Sequence, residues 1–251
     1  MTLSGTQTTL RSLRYDSSPG PSGVAFASPS RVTLARQPSW RTLRAEISAL
    51  ASLTLTTPFG WLIRDDETFD PGAPHPIPVV FVHGLFGNPT NFLALRSFLA
   101  ARGVLNFSSF SYRPRIDLQR LAPELGDTLD ALRNATGAHQ VDVVGHSLGG
   151  LVARYLIEIG EGRRVRRLVT LGSPYYTNRL PEQELAIFAA NDPLVPAPHP
   201  IYGPHGRIRV VSECGHLGLL YHPTVLRAVA HHLTGQVKSA EGAWLRSRAA
   251  A

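Results

Sequence analysis

A chain of 251 residues with 43% hydrophobic content is long enough to bury one sizeable core and need not be divided between two. Its net charge of +7 is unevenly placed: residues 1–45 hold Arg11, Arg14, Arg31, Arg36, Arg41 and Arg44 against the single acid Asp16, which leaves the remainder near neutral. That distribution argues against a basic nucleic-acid-binding face on the main body. Cys214 is the only cysteine, so no intrachain disulfide can form and the redox compartment is left open.

Residues 1–38 are rich in Ser, Thr, Gly, Pro and Arg without a sustained period and read as a disordered leader. They contain no apolar run of signal-peptide length, which favours a cytoplasmic or membrane-peripheral location. Ile47 to Ile63 is a 17-residue stretch without charge, interrupted by Pro58 and Gly60. Three readings of it compete: an element packed on the domain, an amphipathic segment in peripheral contact with a membrane, and a spanning helix. Upstream Arg36, Arg41 and Arg44, with Trp40 and Trp61, favour the second over the third. Residues 64–78 hold four acids and four prolines and read as a linker. The expected organisation is a leader over 1–38, an apolar segment and linker over 39–76, a catalytic domain over 77–236 and a flexible tail over 237–251.

Val79 to Val82 is a pure apolar run, the signature of a strand buried on both faces of a parallel sheet. It leads into His83-Gly84-Leu85-Phe86-Gly87, a loop whose backbone N–H groups can turn inward. His83 is expected to hydrogen-bond that loop and to take no part in proton transfer. Apolar spacing then predicts a helix over 91–101, a strand over 104–112, a helix over 117–135, a strand over 140–145, a helix over 148–160 and a strand over 165–171. Such alternation defines an α/β chain with a mostly parallel central sheet and helices on both faces, with reactive groups at the carboxyl ends of the strands.

Between the strand and helix around residue 147 lies Gly145-His146-Ser147-Leu148-Gly149, a G-x-S-x-G turn. A nucleophile on so sharp a turn needs small residues two positions either side, and it points its hydroxyl at the start of the following helix. The Leu85 and Leu148 amides are the expected pair of oxyanion donors. Asp192 is the only aspartate after Ser147, and it closes the apolar run Leu185 to Ala190 at a predicted strand end. Glu158 and Glu161 read as solvated charges. Of the later histidines, His216 stands between the last predicted strand, 207–211, and the last helix, 223–233. His199 and His205 fall in a proline-rich loop, and His231 and His232 at the end of the helix. Ser147, Asp192 and His216 therefore form a nucleophile, orienting acid and base in the order Ser, Asp, His.

The stretches V-V-F-V-H-G-L-F-G-N, V-V-G-H-S-L-G-G-L-V-A-R-Y, V-T-L-G-S-P and C-G-H-L-G-L-L-Y resemble those of bacterial α/β-hydrolase lipases, above all the small lidless lipases of bacilli. The resemblance spans about residues 77–235. It implies an α/β-hydrolase fold with minimal or no lid, and a triacylglycerol lipase or carboxylesterase acting on a lipid or small acyl ester. It implies the same triad and oxyanion amides, and neither cofactor nor metal. A monomer is expected. By position, Phe86, Tyr175, Tyr176, Leu194, Val195 and Leu217 are candidate substrate-binding residues. The 76 residues before the domain depart from the small lipases, and their apolar part is a candidate cover for the site or a membrane tether. Acyl transfer through the same triad, or a membrane-docked binding protein on this fold, are the alternatives.

Overall fold

The computed structural model describes residues 40–56, 69–174, 181–197 and 207–235. The leader, the first part of the linker, Tyr175, Tyr176, His199, His205 and the C-terminal tail lie outside the described residues. The described elements in order are α1 (Trp40–Thr56), β1 (Val79–Val82), α2 (Leu93–Ala100), β2 (Phe107–Phe110), α3 (Leu118–Thr136), β3 (Val141–His146), α4 (Leu148–Leu156), β4 (Val165–Leu171), β5 (Glu184–Ala189), β6 (Arg207–Val211) and α5 (Pro223–Thr234).

All six strands are parallel and lie in the order β2-β1-β3-β4-β5-β6. Strand periodicity sorts their side chains between two cores. Val79 and Phe81 of β1, Val144 of β3 and Val169 and Leu171 of β4 pack with Leu95 and Leu99 of α2 and Val225 and Val229 of α5. Val80 and Val82, Val141 and Val143, and Val165 and Leu168 face the opposite way, onto Leu121, Leu125 and Leu129 of α3 and Val152 and Leu156 of α4. Neither face of β1 can tolerate a polar residue, which is why that strand reads as an unbroken apolar run. The chain runs from β1 outward to β2 and then back past β1 to β3. Strand order therefore reverses between β1 and β3, and a crevice opens at their carboxyl ends.

Two stretches differ from the sequence reading. Residues 57–63 of the uncharged stretch lie outside the described residues, and residues 47–56 belong to a helix that begins at Trp40, with Thr42 and Ala49 buried and Trp40, Leu43, Ile47, Leu50 and Leu55 exposed. It packs on the domain as in the first of the three readings. No helix among the described residues is long and apolar enough to cross a membrane. The second half of the acidic, proline-rich stretch is tied to the domain. The Asp70 amide donates to Asn106 Oδ1 at 2.8 Å, Asn106 Nδ2 returns a bond to the Asp70 carbonyl at 2.9 Å, and His75 forms a parallel bridge with Val104. Proline spacing could not show this, because the partners sit some 30 residues downstream.

Candidate active site

Ser147 sits between β3 and α4 with φ 52° and ψ −123°, a conformation that costs a non-glycine residue on the order of 1–3 kcal/mol. The surroundings impose it: the Ser147 amide donates to the Leu171 carbonyl of β4 at 2.9 Å, and its own carbonyl accepts from Gly150 at 3.2 Å. The start of α4 is driven hard against β1. A Cβ on Gly149 would stand 2.1 Å from the Val82 carbonyl oxygen, so only glycine fits there.

Asp192 lies in the turn after β5. Its Oδ1 accepts from the amides of Leu194 at 2.8 Å and Val195 at 2.9 Å, which fixes the carboxyl group. Its other oxygen, Oδ2, meets His216 Nδ1 at 2.7 Å, and both side chains are buried. A carboxylate only accepts, so Nδ1 carries the proton and Nε2 is the basic nitrogen. Asp192 and His216, read from sequence as acid and base 24 residues apart, are thus brought together. Gly172, at the end of β4, makes their approach possible: at φ 54° it is in left-handed backbone, and a Cβ there would lie 3.2 Å from both Asp192 Oδ2 and His216 Nδ1.

His146 supports the base from beneath. Its Nε2 is 3.3 Å from the His216 carbonyl oxygen and the two rings are 4.7 Å apart. Burial, followed by the neighbouring His216, lowers the His146 pKa to about 3, so the ring is neutral and Nε2 donates. His83 behaves as expected of a loop residue. Its Nδ1 lies 2.8 Å from the Gly84 carbonyl oxygen, its ring stacks on Tyr112 and burial lowers its pKa. The Tyr112 hydroxyl donates to the His83 carbonyl at 2.7 Å. The following loop turns through a Gly87 amide to Gly84 carbonyl bond of 3.0 Å with Phe86 at φ 60°, which pushes the Phe86 ring outward.

Ser147, His146 and His216 open into a cavity of about 460 Å³, walled by Leu85, Phe86, Leu194 and Leu217 and, from the N-terminal helix, by Leu50, Leu53 and Thr54. Of the six residues expected to bind substrate, Phe86, Leu194 and Leu217 stand on this wall, and Tyr175 and Tyr176 lie outside the described residues. Val195 does not reach it. Its amide is drawn onto Asp192, and its side chain is buried against Ala186 and Phe188. Leu50, Leu53 and Thr54 belong to the apolar stretch offered from sequence as a candidate cover for the site, but nothing local singles out these three, since the loop they meet lies nearly a hundred positions later.

Other acids and histidines near the site in sequence have other partners. Glu161 pairs with Arg164, His222 accepts from the Thr224 amide at the start of α5, and His232 Nε2 lies 3.3 Å from the Gln183 carbonyl oxygen. Glu184 is buried in an ion pair with Arg154 at 2.7 Å. Among the described residues, no group of three or more His, Cys, Asp or Glu side chains stands close enough to hold a metal ion.

A parallel sheet carrying a strained serine between strand and helix, with an Asp–His pair on later loops, defines the α/β-hydrolase architecture. Residues 79–247 match the alpha/beta hydrolase family, and the chain belongs to it. Among solved structures, it is similar to a serine hydrolase of Cycloclasticus zankles at 14% identity over 66% of this chain and 94% of that one, with a TM-score of 0.51. A protein of Mycobacterium tuberculosis described as a non-heme bromoperoxidase aligns at 16% identity over 65% and 93% of the two chains, also with a TM-score of 0.51. A Bacillus licheniformis lipase aligns at 29% identity over 43% of this chain and 44% of that one, with a TM-score of 0.36. The first two likenesses concern the fold, and family membership supports a hydrolase.

Proposed function

We propose that the protein hydrolyses carboxylic esters, as a carboxylesterase or lipase, through an acyl-enzyme on Ser147. The observation that carries this reading is the 2.7 Å bond between Asp192 and His216 Nδ1 beside a cavity that also receives Ser147. In the proposed cycle His216 Nε2 takes the Ser147 proton as the hydroxyl attacks the acyl carbon, then gives it to the departing alcohol. Water, deprotonated by the same nitrogen, attacks the acyl-enzyme and releases the acid. Asp192 holds the ring in the tautomer that leaves Nε2 basic and stabilises the imidazolium as it forms. The Leu85 and Leu148 amides receive the developing oxyanion, an arrangement in which losing one donor costs on the order of 100-fold or more.

The cavity wall is predominantly aliphatic and aromatic, which suits an acyl chain better than a polar alcohol. Exposed Trp40, Leu43 and Ile47 on α1 favour contact with a lipid surface, and flotation with neutral phospholipid vesicles checks it. The esterase reading is tested with a fluorophosphonate. The wild type is expected to take up one phosphonyl group on Ser147, and His216→Ala to react far more slowly. A wild type that stays unlabelled, or label on another residue, contradicts the reading.

A further inference from the structure

We infer that Glu46 is a positioning residue for the loop that carries His216, supplied by a helix that precedes the region matched to the hydrolase family. The role assigned to His216 rests on the esterase reading above, whereas the contact itself stands on geometry. The two carboxyl oxygens of Glu46 are divided between consecutive amides: Oε2 accepts from Leu217 at 3.0 Å and Oε1 from Gly218 at 2.7 Å. These are the two backbone donors directly after His216. Gly218 opens the single-turn 3-10 helix Gly218–Leu220, where the first N–H groups lack acceptors within the turn.

The loop is shaped to receive this side chain. A Cβ on Gly215 would stand 2.5 Å from Glu46 Cδ, and one on Gly218 would stand 2.7 Å from Oε1. The glycines flanking His216-Leu217 thus leave space for a carboxyl group that arrives from about 170 residues earlier. An apolar covering helix would need no half-buried carboxyl group aimed at two amides.

The same face of α1 reaches the other components in order. One turn before Glu46, Thr42 is buried and its Oγ1 accepts from Asn191 Nδ2 at 3.2 Å, next to Asp192. One turn or more after it, Leu50 and Leu53 form the wall of the cavity beside Ser147. At and just beyond the base the loop is held on the His216 ring by Asp192, on its carbonyl by His146 and on the next two amides by Glu46, while the Asn191 amide donates to the Cys214 carbonyl at 3.2 Å just before it. Glu213, at φ 52° within the loop, adds a strained residue that would relax if one point were released. Without Glu46, His216 keeps its acid partner and the bond from His146, but the backbone directly beyond it is released.

The test uses the full chain as wild type, Glu46→Ala and Glu46→Gln, with steady-state hydrolysis of p-nitrophenyl butyrate and amide hydrogen exchange over residues 215–220. Glu46→Ala is expected to lower kcat roughly 10- to 100-fold, the scale of an ångström-sized misplacement of a reacting group, with KM changed less than about threefold. Glu46→Gln keeps one of the two oxygen acceptors but turns an NH2 group toward the other amide, and is expected to recover part of kcat relative to Glu46→Ala. Exchange at Leu217 and Gly218 is expected to rise at least about tenfold in Glu46→Ala. The proposal is overturned if Glu46→Ala retains kcat within twofold, if Gln serves no better than Ala, or if exchange at both amides is unchanged. A wild type that hydrolyses no ester refutes the esterase reading alone, and the exchange measurement then decides the anchor by itself.

Discussion

Gly172→Ala probes the Asp–His pair without altering either member. Alanine would have to adopt φ 54°, at a cost of about 1–2 kcal/mol. Its methyl would lie 2.9 Å from Leu219 Cδ1, a side chain that is fully buried and has nowhere to retreat, which adds about 1–3 kcal/mol of overpacking. Together these predict a stability loss of about 2–5 kcal/mol and, at about 2–4 °C per kcal/mol for a domain of this size, a fall in Tm of roughly 4–20 °C. The functional effect has a separate origin. The methyl would also stand 3.2 Å from Asp192 Oδ2 and His216 Nδ1, so the pair must give by a few tenths of an ångström and its 2.7 Å bond lengthens. Disabling the orienting acid of such a triad costs on the order of 10,000-fold, and a partial displacement is expected to cost about 10- to 100-fold in kcat. Calorimetry gives the first quantity and p-nitrophenyl butyrate turnover well below Tm gives the second. If Gly172→Ala melts within about 2 °C of the wild type and turns over within threefold, the packing argument around the pair is refuted.

Arg154→Met leaves the buried Glu184 without its charged partner and is expected to cost about 3–5 kcal/mol, while Arg154→Met with Glu184→Gln costs less than the single change. Urea unfolding measures both, and equal losses contradict a buried ion pair. His146 titrates near 6.5 when unfolded and near 3 when folded, so between those values the unfolded chain binds the extra proton. Its contribution is complete above about pH 6.5 and is lost as pH falls toward 3, by roughly 4–5 kcal/mol in total. His146→Gln is therefore expected to have a flatter stability profile between pH 6.5 and 4, and parallel profiles would sink this assignment. Burial, followed by Glu46 and Asp192, raises the Cys214 thiol to about 12, so iodoacetamide is expected to leave the native protein unmodified at pH 8 and to alkylate it once unfolded. Stoichiometric labelling of the native protein would contradict that burial.

The parts of the fold that could be read in advance are those whose signal is local. The apolar run Val79 to Val82 and the strand–turn–helix around Ser147 carry their meaning within a dozen residues, because burial on two faces and a tight turn each leave a pattern in sequence. Asp192 could be singled out because it is the only aspartate after Ser147, and His216 because it stands between the last strand and the last helix. What could not be read depends on distant partners. The uncharged stretch begins at Ile47, one residue after Glu46, so the carboxyl group that meets Leu217 and Gly218 stands just outside it. Position beside a catalytic loop end makes Val195 a pocket candidate, whereas the hydrogen bond that fixes the acid draws the Val195 amide inward and its side chain is buried. His146 reads as one letter of a five-residue motif, and only the fold reveals that its ring carries the His216 carbonyl.

The most direct test of the central claim is hydrolysis of p-nitrophenyl esters from two to sixteen carbons by the purified chain, beside Ser147→Ala. Activity that peaks at one chain length and disappears in Ser147→Ala is the predicted result, and the position of the peak distinguishes an esterase from a lipase. Turnover that persists undiminished in Ser147→Ala, or the absence of turnover on every ester, would contradict a serine esterase built on Ser147, Asp192 and His216.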